Sequence, residues 1–237
     1  MELTEGIILK TIKYQENSKI CYIITKDGLV TALVRASLDY HSKNFSYSQE
    51  LTKIGFAISK SKKNSFDIMT TGIVVDSYLN LKKDYDSILS ISKLMDLIYK
   101  SINYVNNFDN LYSLFCFTLD NINDNKLNNK DNVCFYELIL KLKLLYLLGV
   151  GPNFNGCTNC KKSEVVGFSV ERGGVVCKKC VSADDYDGKY LQIMKVLYLA
   201  KLDKLSYELI DELPLESYEV INEIIKNYYD KYLSIKL

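Results

Sequence analysis

Four of the chain's seven cysteines fall into two pairs, Cys157 with Cys160 and Cys177 with Cys180, with sixteen residues between the pairs. The C-x2-C-x16-C-x2-C spacing fits a closed four-thiolate zinc site. Two residues between ligands let a tight turn aim both sulfurs at one ion, and a separate pair completes the tetrahedron. The flanking residues are Gly, Asn, Ser and Lys rather than apolar, which argues against four cysteines filling a core. A thioredoxin-like redox motif needs one CxxC at the start of a helix after a strand, and two matched pairs favour metal. Four cysteinyl ligands leave no open position for water or substrate, so the expected Zn2+ is structural and helps fold a short, polar segment. Within that segment "EVVGFSV" and "GGVVC" read as a two-stranded hairpin turning at Gly173-Gly174.

Other chemistry is sparse. The chain has one histidine, His41, and contains no HExxH, GxSxG or GxxxxGK[ST] pattern. "DGKY", from Asp187 to Tyr190, lacks the upstream glycine and the hydroxyl residue of a phosphate loop, and "GVGPNFNG" fails the dinucleotide spacing. His41 sits in a loop without an orienting neighbour, so a solvated histidine is favoured over a general base. The expectation is a protein that is not an enzyme. A metal-dependent hydrolase would need an open coordination position beside a His, Asp or Glu.

The elements that must position the cysteines change character near residue 80. Before it, "GIILKTI", "KICYIIT", "LVTALVR", "LTKIGFAIS" and "SFDIMTT" are short, rich in β-branched and aromatic residues, and separated by turn signals; Asp27-Gly28 marks a hairpin. Five such strands with one long connection, "ASLDYHSKNFSYSQE", predict an oligonucleotide/oligosaccharide-binding (OB) barrel. After it, Ile88, Ile91, Leu94, Met95, Ile98 and Ile102 recur at helical spacing. "FYELILKLKLLYLLG" is apolar nearly all round and predicts a central buried helix ended by Gly149, Gly151 and Pro152. "YLQIMKVLYLAKL" and "SYEVINEIIKNYYDKYL" predict two later helices, and the Asn-rich "NINDNKLNNKDN" a mobile connector. The expected class is α+β: an OB-fold domain over 1–80, then an α-helical domain over 81–237 with a four-cysteine zinc module inserted at 153–182.

With 237 residues, 48% of them hydrophobic, and a mean hydropathy of −0.05, the chain can build a sizeable core. Its apolar runs fall short of a bilayer span, and Glu2 and Glu5 stand where a signal peptide would be basic, which predicts a cytoplasmic protein with no membrane partner. In a reducing compartment the paired cysteines favour metal over disulfides, and Cys21, Cys116 and Cys134, in apolar stretches, read as core. The net charge of +1 does not advertise a polyanion partner, but it is unevenly spread. Residues 1–80 carry ten basic and eight acidic side chains, 157–180 five and two, and 181–237 seven and eleven. Any polyanion surface would therefore draw on the N-terminal region and the cysteine segment, where Lys161, Lys162, Arg172, Lys178 and Lys179 lie.

Three stretches in order carry a resemblance: "GIILKTIKYQENSKICYIITKDGLVTALVRA", "GIVVDSYLNLKKDYDSI", and "FYELILKLKLLYLLGVGPNFNGCTNC" with its leucine-rich helix, glycine, proline and first cysteine pair. Together they resemble the RecO family of bacterial recombination mediators over nearly the whole chain. The resemblance implies a non-enzymatic, nucleoid-associated protein of the RecF-type repair pathway. Such a protein binds single- and double-stranded DNA, anneals complementary strands, engages RecR and single-strand-binding protein, and so acts on RecA indirectly. Relatives often carry a basic cluster after the third strand, where this chain offers only Arg35 and Lys43.

A single strand is held by basic side chains and by aromatic faces on which bases stack. Arg35, Tyr40, Lys43, Phe45 and Tyr47 place both in one connection, and Lys60, Lys62 and Lys63 add a basic turn between the last two strands. The alternatives are that Phe45 and Tyr47 fold back onto the barrel and that the lysines are an ordinary solvated turn. An RNA- or ribosome-associated OB/zinc protein would share every one of these features.

Overall fold

The computed structural model describes residues 3–60, 66–124, 130–205 and 215–237. The chain divides into two compact units, one of residues 1–103 and 107–123, the other of 104–106 and 124–237. The switch from strand to helix near residue 80 thus falls inside the first unit.

The first unit contains the five expected strands, β1 (Thr4–Tyr14), β2 (Ser18–Thr25), β3 (Gly28–Val34), β4 (Lys53–Ser59) and β5 (Asp67–Asp76), closed into a barrel of order β1-β2-β3-β5-β4. All pairs are antiparallel except β3 with β5. This is the OB-type arrangement, in which closure removes the free edges of a small sheet. Thr25 pairs with Gly28 across the tight β2–β3 turn, and Gly28 has a φ of +139°, which favours a residue without Cβ. The barrel core gathers Ile8, Cys21, Ile23, Ala32, Val34, Tyr47, Ile54, Phe56 and Met69.

The fifth strand is longer than the sequence suggests. The β-branched run after Thr71 continues along β4, with Ile73 opposite Gly55 and Asp76 opposite Lys53, so "GIVVD" ends the barrel. The long connection between β3 and β4 contains one short helix, α1 (Lys43–Ser46), capped by Ser42, whose side chain accepts from the Asn44 N–H.

Two helices complete this unit. α2 (Tyr85–Ser101) starts where the Asp84 side chain accepts from the Ser87 N–H, and buries Ile91, Leu94, Met95 and Ile98, as the spacing predicts. It lies against β1, and Tyr99 meets the edge of Tyr22 with ring centroids 5.5 Å apart. α3 (Phe108–Asp124) is a helix the sequence reading passes over. It buries Leu111, Leu114, Phe115, Thr118, Leu119 and Ile122, and Tyr78 donates to its Asp120 at 3.1 Å.

The second unit is built on α4 (Lys130–Leu147), α5 (Leu191–Leu199) and α6 (Leu215–Leu233), with α5 and α6 both packed on α4. α4 is buried from Phe135 to Leu145 on nearly every face, as an all-apolar helix must be. It also buries charge: Glu137 pairs with Lys141, which donates to Asn222 of α6 at 2.9 Å. Lys143 donates to the carbonyls of Tyr198 and Ala200, capping the C-terminal end of α5. The Asn-rich stretch is shorter than a connector over 121–132, because α3 takes 121–124 and α4 begins at 130; residues 125–129 lie outside the described residues. No helix among the described residues is long and apolar enough to cross a membrane.

Candidate metal centre and nucleic-acid surface

The sulfurs of Cys157, Cys160, Cys177 and Cys180 all lie within 4.8 Å of one another, and Cys160 Sγ stands 3.5 Å from Cys177 Sγ. Tetrahedral Zn–S bonds of about 2.3 Å place sulfurs roughly 3.8 Å apart, so the cage is of the right size for a metal ion. Each pair sits on a tight backbone turn. The Lys161 N–H donates to the Cys157 carbonyl and the Cys180 N–H to the Cys177 carbonyl, both at 2.9 Å.

These turns aim N–H groups at sulfur. Donation from the backbone of Cys160, and further from Cys177 and Asn159, brings the Cys157 thiol down to about 6, favouring the thiolate a metal needs. Cys180 is different. The Asn159 amide donates to it at 3.5 Å, but burial and the neighbouring thiols outweigh this and push it up to about 11. The donor set and spacing fit a closed four-coordinate metal site.

The scaffold around the cage is the expected hairpin, extended by a third strand. β6 (Gly167–Ser169) pairs with β7 (Gly174–Val176) and, on its other side, with β8 (Tyr186–Asp187). Aromatic stacking ties the sheet to the helices: Phe168 lies 6.1 Å from Phe154 and 6.2 Å from Tyr228 of α6, and Phe154 5.4 Å from Tyr198 of α5. Arg172 is absorbed here. Its guanidinium pairs with Asp185 and donates to the Cys180 carbonyl at 2.7 Å, locking the β6–β7 turn onto the second cysteine pair. It therefore leaves the set of solvent-facing basic residues. Neither the Arg172–Asp185 lock nor the Asn159 contact has a sequence signal beyond the presence of a polar residue at the turn.

On the barrel, Arg35, Tyr40, Lys43, Phe45 and Lys60 are exposed, whereas Lys62 and Lys63 lie outside the described residues. Tyr40 is 75% exposed, with its ring 4.3 Å from that of His41. Phe45 is 36% exposed, with one side approached by Lys19 at 5.6 Å from the ring centroid. Lys19 also donates to the Ser48 carbonyl at 3.2 Å, holding the connection to β2.

Tyr47 is a correction. It is only 6% exposed and belongs to the barrel core, its hydroxyl donating to Asn44 at 2.5 Å. A ring buried in the barrel offers no face to a base, so Tyr47 folds back while Tyr40 and Phe45 stay outside. Two of the three remaining cysteines also differ from expectation: Cys21 is buried in the barrel, where burial pushes its thiol up to about 12, but Cys116 and Cys134 are only half-buried.

Comparison with known proteins follows the two halves of the chain. Residues 1–78 match the family model described as "Recombination protein O N terminal", and residues 82–237 the one described as "Recombination protein O C terminal". Proteins named "DNA repair protein RecO" align along nearly the whole length. The relative from Halalkalibacterium halodurans is 25% identical, covering 98% of this chain and 90% of its own. That from Caldicellulosiruptor saccharolyticus is 26% identical with 98% and 92% covered, and that from Mesoplasma florum 26% with 94% and 83%. The relatives' name denotes a role in DNA repair and specifies no catalytic activity. With a five-stranded closed barrel followed by helices and a four-cysteine cage, and family models matched end to end, the chain belongs to the recombination protein O (RecO) family.

Proposed function

We propose that this chain is a non-catalytic recombination mediator: it binds single- and double-stranded DNA, anneals complementary strands, and acts with RecR and single-strand-binding protein to help load RecA. The observation that carries this reading is the match of both family models across the chain, joined to a barrel whose exposed connection combines cations and aromatic faces. Arg35, Lys43 and Lys60, with Lys62 and Lys63, contact phosphates, and Tyr40 and Phe45 stack on bases. Affinity through this connection is modest because few cations line it.

The metal is Zn2+, held by Cys157, Cys160, Cys177 and Cys180 with no ligand position left for chemistry. Its contribution is structural, fixing β6, β7 and the two turns against α5 and α6. The protein turns over neither nucleotide nor DNA, because no phosphate-cradling loop accompanies the cage.

The test is direct. Purified chain mixed with RecR from the same cell should co-elute as a complex on size exclusion and shift a labelled single-stranded oligonucleotide. Preference for RNA over DNA of the same sequence in competition would favour the RNA-associated reading instead.

A further inference from the structure

We propose that the two cysteine turns carry a second phosphate-binding patch for nucleic acid, made of Lys161, Lys162, Lys178 and Lys179; the proposal rests on the DNA-binding reading above. All four lysines are exposed, and each lies within two residues of a cysteine whose sulfur is within 4.8 Å of the other three. One compact cage therefore gathers four ammonium groups from two stretches of sequence.

The module's one other cation is engaged, as are three cations from the rest of the unit. Arg172 is locked to Asp185, Lys231 to Glu171, Lys189 to Glu216, and Lys143 caps α5. Among the described residues, no hydrogen bond or ion pair engages the four knuckle ammonium groups. The fold forces this outward display: the Lys179 N–H points at Cys177 Sγ, and the Lys162 carbonyl accepts from the Cys157 N–H at 2.8 Å, so the backbone faces the cage and the side chains face water.

Charge alone does not account for the lysines as neutralisers of the cage. A zinc ion on four thiolates is a dianion, and four ammonium groups leave the patch cationic even with Glu164 nearby. Flexible ammonium groups on a rigid turn suit phosphate as point charges, without base specificity. Such a patch would give the protein a nucleic-acid contact on its second unit in addition to the one proposed on the barrel.

The experiment uses the full chain and a fluorescein-labelled oligothymidylate, with anisotropy read over a range of salt. The K161Q/K162Q/K178Q/K179Q variant, checked for wild-type metal content, should flatten the log–log salt dependence by about 2–3 units, at about 0.7 per lost contact. On the unaltered protein, the oligonucleotide should shield these four lysines from an amine-acetylating reagent, read by mass spectrometry; this arm decides if the variant loses metal. A variant with unchanged slope and no shielding overturns the patch, while binding that disappears on removing Arg35, Lys43 and Lys60 overturns the patch but upholds the DNA-binding reading. Shielding by polyglutamate and not by the oligonucleotide also overturns it, in favour of an acidic protein partner. An unaltered chain that binds no oligonucleotide overturns both.

Discussion

The ring of Tyr47 fills the space that Gly72 leaves open: a Cβ at position 72 would stand 2.4 Å from Tyr47 Cδ2. One residue comes from the long connection and the other from β5, so this pair fastens the connection onto the barrel. Tyr47→Ala should destabilise the protein by about 3–5 kcal/mol, as a large-to-small core change does. Gly72→Ala should cost about 1–3 kcal/mol through overpacking. Thermal and denaturant melting read both; a Tyr47→Ala protein with wild-type melting and weakened DNA binding would instead make Tyr47 a stacking residue.

Tyr40, 75% exposed, is with Phe45 a proposed stacking residue. Tyr40→Ala should lower affinity for a single strand by roughly 1–3 kcal/mol and leave the salt slope nearly unchanged. The Arg35→Gln, Lys43→Gln and Lys60→Gln variant should do the reverse, flattening the slope by about two units. Anisotropy titrations at several salt concentrations separate the two effects.

Cys177→Ser removes a buried sulfur from the cage and, on the proposed zinc site, should lower metal content from about one ion per chain toward none, with loss of structure in the second unit. Elemental analysis and hydrogen exchange of residues 153–187 check this. Full metal content with unchanged exchange would show the cage to be something other than a metal site.

Asp185 gives the module an acid limit. Its burial alone would raise its carboxyl, but hydrogen bonds from Ser169 and Ser182 and the Arg172 guanidinium hold it below the usual carboxylate range. A carboxyl depressed in the folded state contributes stability that is present above its unfolded value, about 3.9, and is lost as pH falls through the depressed folded value. Asp185→Asn should therefore be less stable than wild type at neutral pH, with the difference shrinking below about pH 4. Melting temperatures of the two proteins across that range test the sign; a gap that widens on acidification would contradict it.

Much of this was legible from the chain. Cysteine spacing located the cage, β-branched runs located the strands, and the apolar sweep of "FYELILKLKLLYLLG" located the buried helix, because each signal is local. The misses share a physical cause. Tyr47 is buried by Gly72, and Arg172 is taken up by Asp185, through packing between residues distant in sequence. β8 is two residues long and exists only because β6 offers an edge to it. α3 did carry a signal: Asn107 accepts from the Asn110 N–H as a cap before a helically spaced apolar face. Its aromatic-rich sequence and Asn-rich tail obscured that face.

The measurement that bears most directly on the mediator reading is annealing of two complementary fluorophore–quencher oligonucleotides by the purified chain without nucleotide. The account predicts annealing well above the spontaneous rate, unaffected by ATP, slowed by salt as phosphate contacts are screened, and reduced in the Arg35, Lys43 and Lys60 variant. Annealing no faster than in the absence of protein, at concentrations where the chain is folded and metal-loaded, would contradict it.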